Sequence, residues 1–127
     1  MGLDNYASRT PGDVSLTGED ERAFVAAGIE LCGGIMSGGD SSFRGKVYWD
    51  LVYEVTGESL TEEWVPPETV LVMAEKLNSL TPEDLADIND RVRMHQSEQH
   101  TSPDEMESLQ CFFTICAGRG LGIIGWW

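Results

Sequence analysis

The sequence has few cations and few cysteines, and it lacks a long apolar run. Lys and Arg number 8 against 22 Asp and Glu in 127 residues, so the formal net charge is −14. A surface of this sign repels phosphate chains, and we therefore expect no nucleic-acid partner. No run of roughly 18 apolar residues is present, which predicts no transmembrane helix and no membrane partner. The N-terminus lacks the basic start and apolar stretch of a signal peptide, which favours a cytoplasmic location.

Cysteine occurs at three positions, Cys32, Cys111 and Cys116, and no Cys-x-x-Cys pair is present. An odd number of cysteines in a chain without a signal peptide indicates a reducing compartment. On a helix, the side chains of Cys111 and Cys116 would point about 140° apart and could not share a ligand. We expect all three cysteines to be small core residues.

The motifs of metal and nucleotide sites are missing as well. There is no EF-hand pattern, and His95 and His100 lie in a polar segment with no suitably spaced third ligand. The segment from Gly39 to Lys46 is one residue too long for a P-loop, and Val47 stands where that motif needs Ser or Thr. We therefore expect no metal and no cofactor.

The chain does contain enough apolar residues, 41%, to form a core, and its length predicts one domain over residues 1–127. The acidic residues are spread from Asp4 to Glu107 without a block. Three explanations of this acidic coat stay open. It is a solvated surface, an adaptation to a salt-rich cytoplasm (which the scarcity of lysine fits), or a surface that imitates DNA or docks a basic partner.

Apolar spacing predicts five helices, of which two lie in the first half of the chain. The first begins at the cap Thr17, with acids in its first turn, and ends at Gly33–Gly34. The second begins at Ser41 or Ser42 and ends at Gly57. The expected buried positions are Phe24, Val25, Gly28, Leu31 and Cys32 in the first helix, and Phe43, Val47, Tyr48, Leu51, Val52 and Val55 in the second.

Three helices follow in the second half. The third is expected from Pro67 to about Asn78. The fourth begins at the signal in residues 81–84 and precedes a polar loop over 95–101, and the fifth begins at the signal in 102–105 and ends at Gly118. The expected buried positions are Val70, Met73, Ala74 and Leu77, then Leu85, Ile88 and Val92, then Met106, Leu109, Phe112, Phe113 and Cys116.

The two ends of the chain are typical of extended segments. Residues 1–16 are polar with a turn at Pro11-Gly12, residues 60–65 form a short linker, and residues 120–127 are apolar and rich in glycine. The C-terminal segment is either a short strand or an extended segment packed on the helices. The predicted fold is mainly α, a single compact domain of about five helices, with a small β pair of the termini as an option.

The glycine-rich loop over residues 33–46 is the strongest departure from the average composition. Such a loop before a helix presents free backbone N–H groups, and the helix dipole adds positive potential. Two of the eight cations also lie there, which predicts a phosphate or carboxylate site. Its residues are Gly38, Gly39, Ser41, Ser42, Arg44 and Lys46. Alternatively, the glycines serve turns and close helix packing, while the two cations pair with nearby acids.

Two further functions stay open. A small enzyme acting on an anionic molecule would use the same loop, with Asp40 or Asp50 as the base. The paired carboxylates Asp50 and Glu54, however, are more typical of a solvated surface. Trp126 and Trp127 at the end of the chain either fold into the core or form a docking tail for a protein partner. We favour a binding module over an enzyme, with a small anion or a protein as its partner.

Four segments of the chain resemble small prokaryotic proteins of unassigned function, haloarchaeal ones among them. The segments are MGLDNY at 1–6, SFRGKVY at 42–48, WVPPETV at 64–70 and GLGIIGWW at 120–127. The resemblance implies an archaeal or bacterial cytoplasmic protein and adds weight to the salt-adaptation explanation. It implies no activity and no site.

Overall fold

The computed structural model describes residues 3–29, 31, 41–95 and 101–126, the side chains of 92–95 excepted. Five helices and four strands occur in these ranges, which confirms the mainly helical class. The elements are β1 (Asp4–Ser8), α1 (Gly18–Ala27), β2 (Ser42–Arg44), α2 (Gly45–Thr56), β3 (Trp64–Val65), α3 (Pro67–Asn78), α4 (Pro82–His95), α5 (Pro103–Arg119) and β4 (Gly122–Trp126). None of the described helices is long and apolar enough to cross a membrane.

The four strands form one antiparallel sheet in the order β2-β1-β4-β3. The central pair joins the N-terminal strand β1 to the C-terminal strand β4, which confirms the predicted pairing of the two ends. Strands β2 and β3 were not predicted, because strands of three and two residues are too short to show an alternating pattern.

One face of the sheet packs on the helices and forms the core. Side chains alternate between the two faces of a strand, so Asn5, Ala7, Phe43, Val65 and Ile123 share the inner face, and all five are buried. Helices α2 and α3 contact the strands, and α3 packs along α5. The buried stripes predicted for α3 and α5 are confirmed.

Local capping signals placed three helix starts correctly. Thr17 and Asp20 form a capping box at α1, and Ser102 and Glu105 form one at α5. At α4, the hydroxyl of Thr81 accepts from the backbone N–H of Asp84, whose carboxylate accepts from the backbone of Thr81. Such boxes satisfy N–H groups that a helix start would otherwise leave unpaired.

The predicted end of the first helix was wrong. Helix α1 stops at Ala27, because Gly28 takes a left-handed conformation with φ of 63°, which glycine adopts at low cost. Val25, an expected core residue, is 63% exposed, and the buried positions of α1 are Asp20 and Phe24. Of the other expected positions, Leu31 lies beyond the helix, and Cys32 and Gly33–Gly34 fall outside the described residues.

The predicted start of the second helix was also wrong. Neither Ser41 nor Ser42 caps α2; Arg44 stands at the N-cap without a side-chain hydrogen bond. Residues 42–44 instead pair with β1, which turns Phe43 into the core as a strand residue. The ring of Phe43 packs against that of Phe112 at 4.9 Å between centroids.

The end of α5 was predicted two residues early. Gly118 stays helical, and the helix ends at Gly120 in a left-handed conformation whose N–H donates to the carbonyl of Cys116. The chain then enters β4 at once, which answers the open question about the C-terminal segment in favour of a strand. Helix α4 extends to His95, a residue assigned to a loop in the prediction.

Candidate functional site

The outer face of the sheet, opposite the core, carries aromatic side chains on adjacent strands. Directly paired residues of antiparallel strands point to the same side, so the register defines two rows. The first row is Arg44, Asp4 and Trp126, and the second is Ser42, Tyr6, Ile124 and Trp64. We call these seven residues the outer face.

Trp126 and Tyr6 form an aromatic corner on the outer face. Their ring centroids are 6.3 Å apart and the planes are inclined by 66°, an edge-to-face contact. Trp126 is 57% exposed, whereas Tyr6 is half-buried. Burial and the neighbouring Asp4 carboxylate raise the pKa of Tyr6, so its hydroxyl is neutral at physiological pH. The corner therefore presents the Trp126 ring to solvent in a position fixed by its contact with Tyr6.

Glycines in β4 shape both faces of the sheet at this end. A Cβ on Gly122 would come within 2.5 Å of the Trp64 ring, so the missing side chain makes room for the indole across the strand. On the inner face, a Cβ on Gly125 would meet the backbone oxygen of Leu60 at 2.7 Å. The glycine spacing of the C-terminal segment thus reflects two close approaches, one on each face.

The outer face and its border carry more carboxylates than cations. Asp4 is half-buried, and Glu62 and Glu63 precede Trp64 on the chain and are exposed. Arg44 lies opposite Asp4 in the register, yet neither forms an ion pair within the described part of the chain. The Asp4 carboxylate is therefore open to a cation supplied from outside.

The residues of the predicted anion site are only partly described. Ser42 and Arg44 lie on the outer face, and Lys46 is exposed in the first turn of α2. Ser41 is half-buried, and its carbonyl accepts from the N–H of Ala7. Gly38 and Gly39, like Asp40, fall outside the described residues.

The predicted anion site requires free backbone N–H groups at the start of α2, but one of them already donates a hydrogen bond within the protein. The N–H of Gly45, the first residue of α2, donates to the carbonyl of Leu3 at 2.8 Å, and Gly45 is buried. The Asn5 side chain lies where a Cβ of Gly45 would be, which explains why glycine stands there. The anion site itself stays a prediction.

Of the two residues of the predicted docking tail, the structure describes Trp126, which lies in β4 and is exposed. Trp127 falls outside the described residues. The two sites predicted separately, one with Arg44 and one with Trp126, meet in the same row of the outer face. This proximity could not be read from residues 82 positions apart in the sequence (126 − 44).

The residues considered for catalysis do not form a described site. Asp50 is half-buried and Glu54 is exposed on α2, where Arg91 approaches Glu54 at 3.8 Å. Among the described residues, no group of three or more His, Cys, Asp or Glu is placed to hold a metal ion. The side chains of His95 and His100 fall outside the described part of the chain.

Two of the three cysteines can be described. Cys116 is buried in the core as predicted, and burial raises the pKa of its thiol well above the ordinary value, which keeps it protonated. Cys111 is only half-buried. It lines a cleft of about 460 Å³ beside Asp104 and Glu107.

A buried charged cluster joins three distant parts of the chain. Asp20 on α1 is fully buried and accepts from Arg9 with both oxygens, at 2.7 Å each, and from Arg119 at 2.7 Å. Its pKa lies far below the ordinary value, chiefly because of the Arg9 hydrogen bonds, which overcome the opposing effect of burial. Since its lone pairs are fully engaged, the cluster fixes the fold and offers no reactive group.

Sequence reasoning missed four residues of the outer face: Asp4, Tyr6, Trp64 and Ile124. Once residues 4–8 are known to form a strand, its two-residue period places Asp4 and Tyr6 on one face. Which face meets the helices, however, follows only from the packing. Trp64 was assigned to a linker, and its position depends on the two-residue strand β3.

Comparisons with known proteins return no relative. No protein-family model matches the chain, and no curated protein or solved structure matches it either. The resemblance to small prokaryotic proteins therefore stays a prediction.

Proposed function

We propose that the protein is a binding module that docks a protein partner on the outer face of its sheet. The observation that carries this proposal is the exposed Trp126, held against Tyr6 in a regular strand. A tryptophan buries about 200 Å² when covered, so the exposed fraction leaves about 100 Å² of mostly apolar surface in water. Covering that area is worth about 2–3 kcal/mol, which is the contribution of a single anchor residue in an interface.

The partner is a protein with a positively charged contact surface. The chain carries a formal charge of −14, Asp4 is the register partner of Trp126, and the backbones of Glu62 and Glu63 lie beside Gly125, the neighbour of Trp126. Complementary charge raises the association rate and selects the partner more than it adds affinity. Exposure on the outer face is concentrated at Trp126, while Ser42 and Ile124 are buried. A single exposed aromatic side chain encloses little of a small molecule, which favours a macromolecular ligand.

The test selects random twelve-residue peptides, displayed on phage, against the wild-type protein. The affinities of the selected peptides are then measured for Trp126→Ala and for the control Tyr53→Ala. Tyr53 is also an exposed aromatic residue, 60% exposed, but it lies on α2. We expect Trp126→Ala to weaken binding about tenfold or more and Tyr53→Ala to leave it unchanged. Equal binding to both variants, or a selection that yields no peptide, would contradict the proposal.

A second candidate function is the binding of a small anion by Arg44 and Lys46. It is favoured by the finding that neither side chain forms an ion pair among the described residues. Titration with inorganic phosphate and with succinate, followed by NMR, tests it. Resonance shifts centred on residues 41–46 that disappear in Arg44→Ala would support it, and uniform small shifts would refute it.

The acidic coat has a further proposed cause, adaptation to a salt-rich cytoplasm. At a charge of −14, self-repulsion is screened within about 3 Å at 1 M salt and over about 30 Å at 0.01 M. Thermal unfolding across a KCl series tests this explanation. A melting temperature that rises steadily into the molar range supports it, and one that is flat above 0.15 M KCl contradicts it.

A further inference from the structure

Asp4, Tyr6 and Trp126 together form a site for one specific side chain of the partner. We infer that this corner takes an arginine of the partner, with the guanidinium stacked on the Trp126 indole and paired with the Asp4 carboxylate. The inference rests on the proposed docking function and names the chemical group recognised there. It follows from geometry, charge and the shape of the two ring systems.

The geometry brings an aromatic face and a carboxylate within reach of one planar group. Asp4 and Trp126 are directly paired in the register, so their Cα atoms lie about 4.5–5.5 Å apart and their side chains leave the sheet on the same side. Tyr6 holds the indole by its edge-to-face contact. Because Trp126 is 57% exposed, more than half of its surface is left for contact with an incoming group.

The charge at the corner selects a cation. No cation of the described chain pairs with Asp4, although Arg44 is its register partner on β2. The electron-rich ring faces add attraction for a positive group within about 6 Å of their centroids. An anionic group would meet Asp4 at short range and the field of Glu62 and Glu63 at longer range.

Arginine fits the corner better than lysine does. The guanidinium is planar and stacks on an indole, and its fork of N–H donors matches the two oxygens of a carboxylate. The same pairing occurs inside the molecule, where Arg9 donates to both oxygens of Asp20. The ammonium group of lysine has no plane to stack and holds its water more strongly.

The site lies on an open surface, so a free amino acid would bind only weakly. A cation–π contact at an exposed position accounts for a two- to fivefold change in affinity, roughly, and an exposed ion pair for a similar factor. The arginine is therefore an anchor within a longer basic segment that also passes Glu62 and Glu63. This is why the site belongs to a docking surface and not to a metabolite pocket.

The test uses four nine-residue peptides with capped ends and two flanking lysines. The central residue is arginine, lysine, citrulline or glutamate, where citrulline has the shape of arginine without its charge. Affinities for the full-length protein are measured by NMR titration at low salt. We expect the arginine peptide to bind about tenfold more tightly than the citrulline peptide and about threefold more tightly than the lysine peptide.

Variants of the protein show whether the preference for arginine depends on Asp4 and Trp126. In Asp4→Asn the preference for arginine over citrulline should fall from about tenfold to about two- to fivefold, whereas Glu75→Gln on α3, an exposed carboxylate on another element, should keep it. Trp126→Ala should weaken all four peptides. Thermal unfolding of each variant shows that it is folded.

The outcomes separate the inference from the proposed function. If the peptides bind in a Trp126-dependent way but citrulline or lysine equals arginine, the arginine site is refuted and the docking function stands. The same holds if Asp4→Asn keeps the full preference. If no peptide binds up to millimolar concentration, the arginine site is refuted, and the docking function is then decided separately by the selection of random peptides.

Discussion

Replacing Asp20 with asparagine removes one carboxylate oxygen from a side chain that accepts four hydrogen bonds. The donors are two nitrogens of Arg9, the Nε of Arg119 and the backbone N–H of Thr17. Each oxygen accepts two of them. In Asp20→Asn one oxygen remains, and the new amide group, itself a donor, faces two N–H groups that have lost their acceptor.

The size of the effect follows from these contacts. A hydrogen bond to a charged group contributes about 1.5–3 kcal/mol, so two lost bonds correspond to about 3–6 kcal/mol. Arg9 and Arg119 are 40% and 31% exposed, which lets water replace part of the loss. We therefore expect Asp20→Asn to lower the free energy of unfolding by about 2–4 kcal/mol. For a chain of this length, that is a fall in melting temperature of about 8–15 °C.

The assay is urea unfolding followed by circular dichroism, with Glu21→Gln as the matched control. Glu21 lies in the same first turn of α1 and is exposed, so its loss of one negative charge should cost less than about 0.5 kcal/mol. A difference below about 1 kcal/mol between wild type and Asp20→Asn would show that the buried carboxylate contributes no more than a surface group.

The stabilisation by the Asp20 carboxylate should also depend on pH. The pKa of Asp20 is lower in the folded than in the unfolded protein, so its contribution is complete above the unfolded value of about 3.9 and declines as the pH falls below it. The stability difference between wild type and Asp20→Asn should therefore be constant from about pH 6 to 8 and shrink below about pH 4. A difference that grows on acidification would contradict this account.

Three further predictions concern packing and reactivity. Gly125→Ala should lower the free energy of unfolding, measured by urea unfolding, by about 2 kcal/mol or more. The new methyl group would overlap backbone carbonyl oxygens, which can move only if the chain around them moves too. An unchanged urea midpoint would show that the backbone does not lie this close to Gly125. Tyr48→Phe should cost about 1.5–3 kcal/mol in the same assay, since the buried hydroxyl donates to Glu105 at 2.6 Å, and a loss below 0.5 kcal/mol would show that this bond adds little. In the native protein Cys111 should react with iodoacetamide well before Cys116, as mapped by mass spectrometry, because burial raises the pKa of the Cys116 thiol and blocks access; equal rates would refute that burial.

The helices could be predicted because their signals are local. Thr17 with Asp20, and Ser102 with Glu105, are three residues apart and mark helix starts whatever the rest of the chain does. Helix α3 was predicted with both ends correct for the same reason. The predicted end of α1 was wrong because the helix could end either at Gly28 or at Gly33–Gly34. The sequence alone does not show which of these glycines ends it.

The sheet edges and the charged cluster depend on contacts between distant residues. Asp20 meets Arg119 across 99 positions of sequence, and no local pattern distinguishes it from the 21 other acidic residues. Residues 42–44 form a strand because β1 lies beside them, although Phe43 also fitted a helical repeat.

The candidate site was predicted in parts. Arg44 and Trp126 were both singled out, but for different sites, and only the register of β2, β1 and β4 places them in one row. Asp4 and Tyr6 carry no motif. Their role on the outer face becomes visible once the helices are known to cover the other side of the sheet.

The indole N–H resonances of the ¹⁵N-labelled protein give the most direct test of the central claim, that the outer face docks a partner. Trp126 and Trp64 lie on this face and report on it together, whereas Trp49 lies on α2 and serves as the control. On titration with a selected peptide, we expect the Trp126 and Trp64 indole resonances to shift together while the Trp49 resonance stays in place. A shift of Trp49 with Trp126 unmoved would contradict the claim.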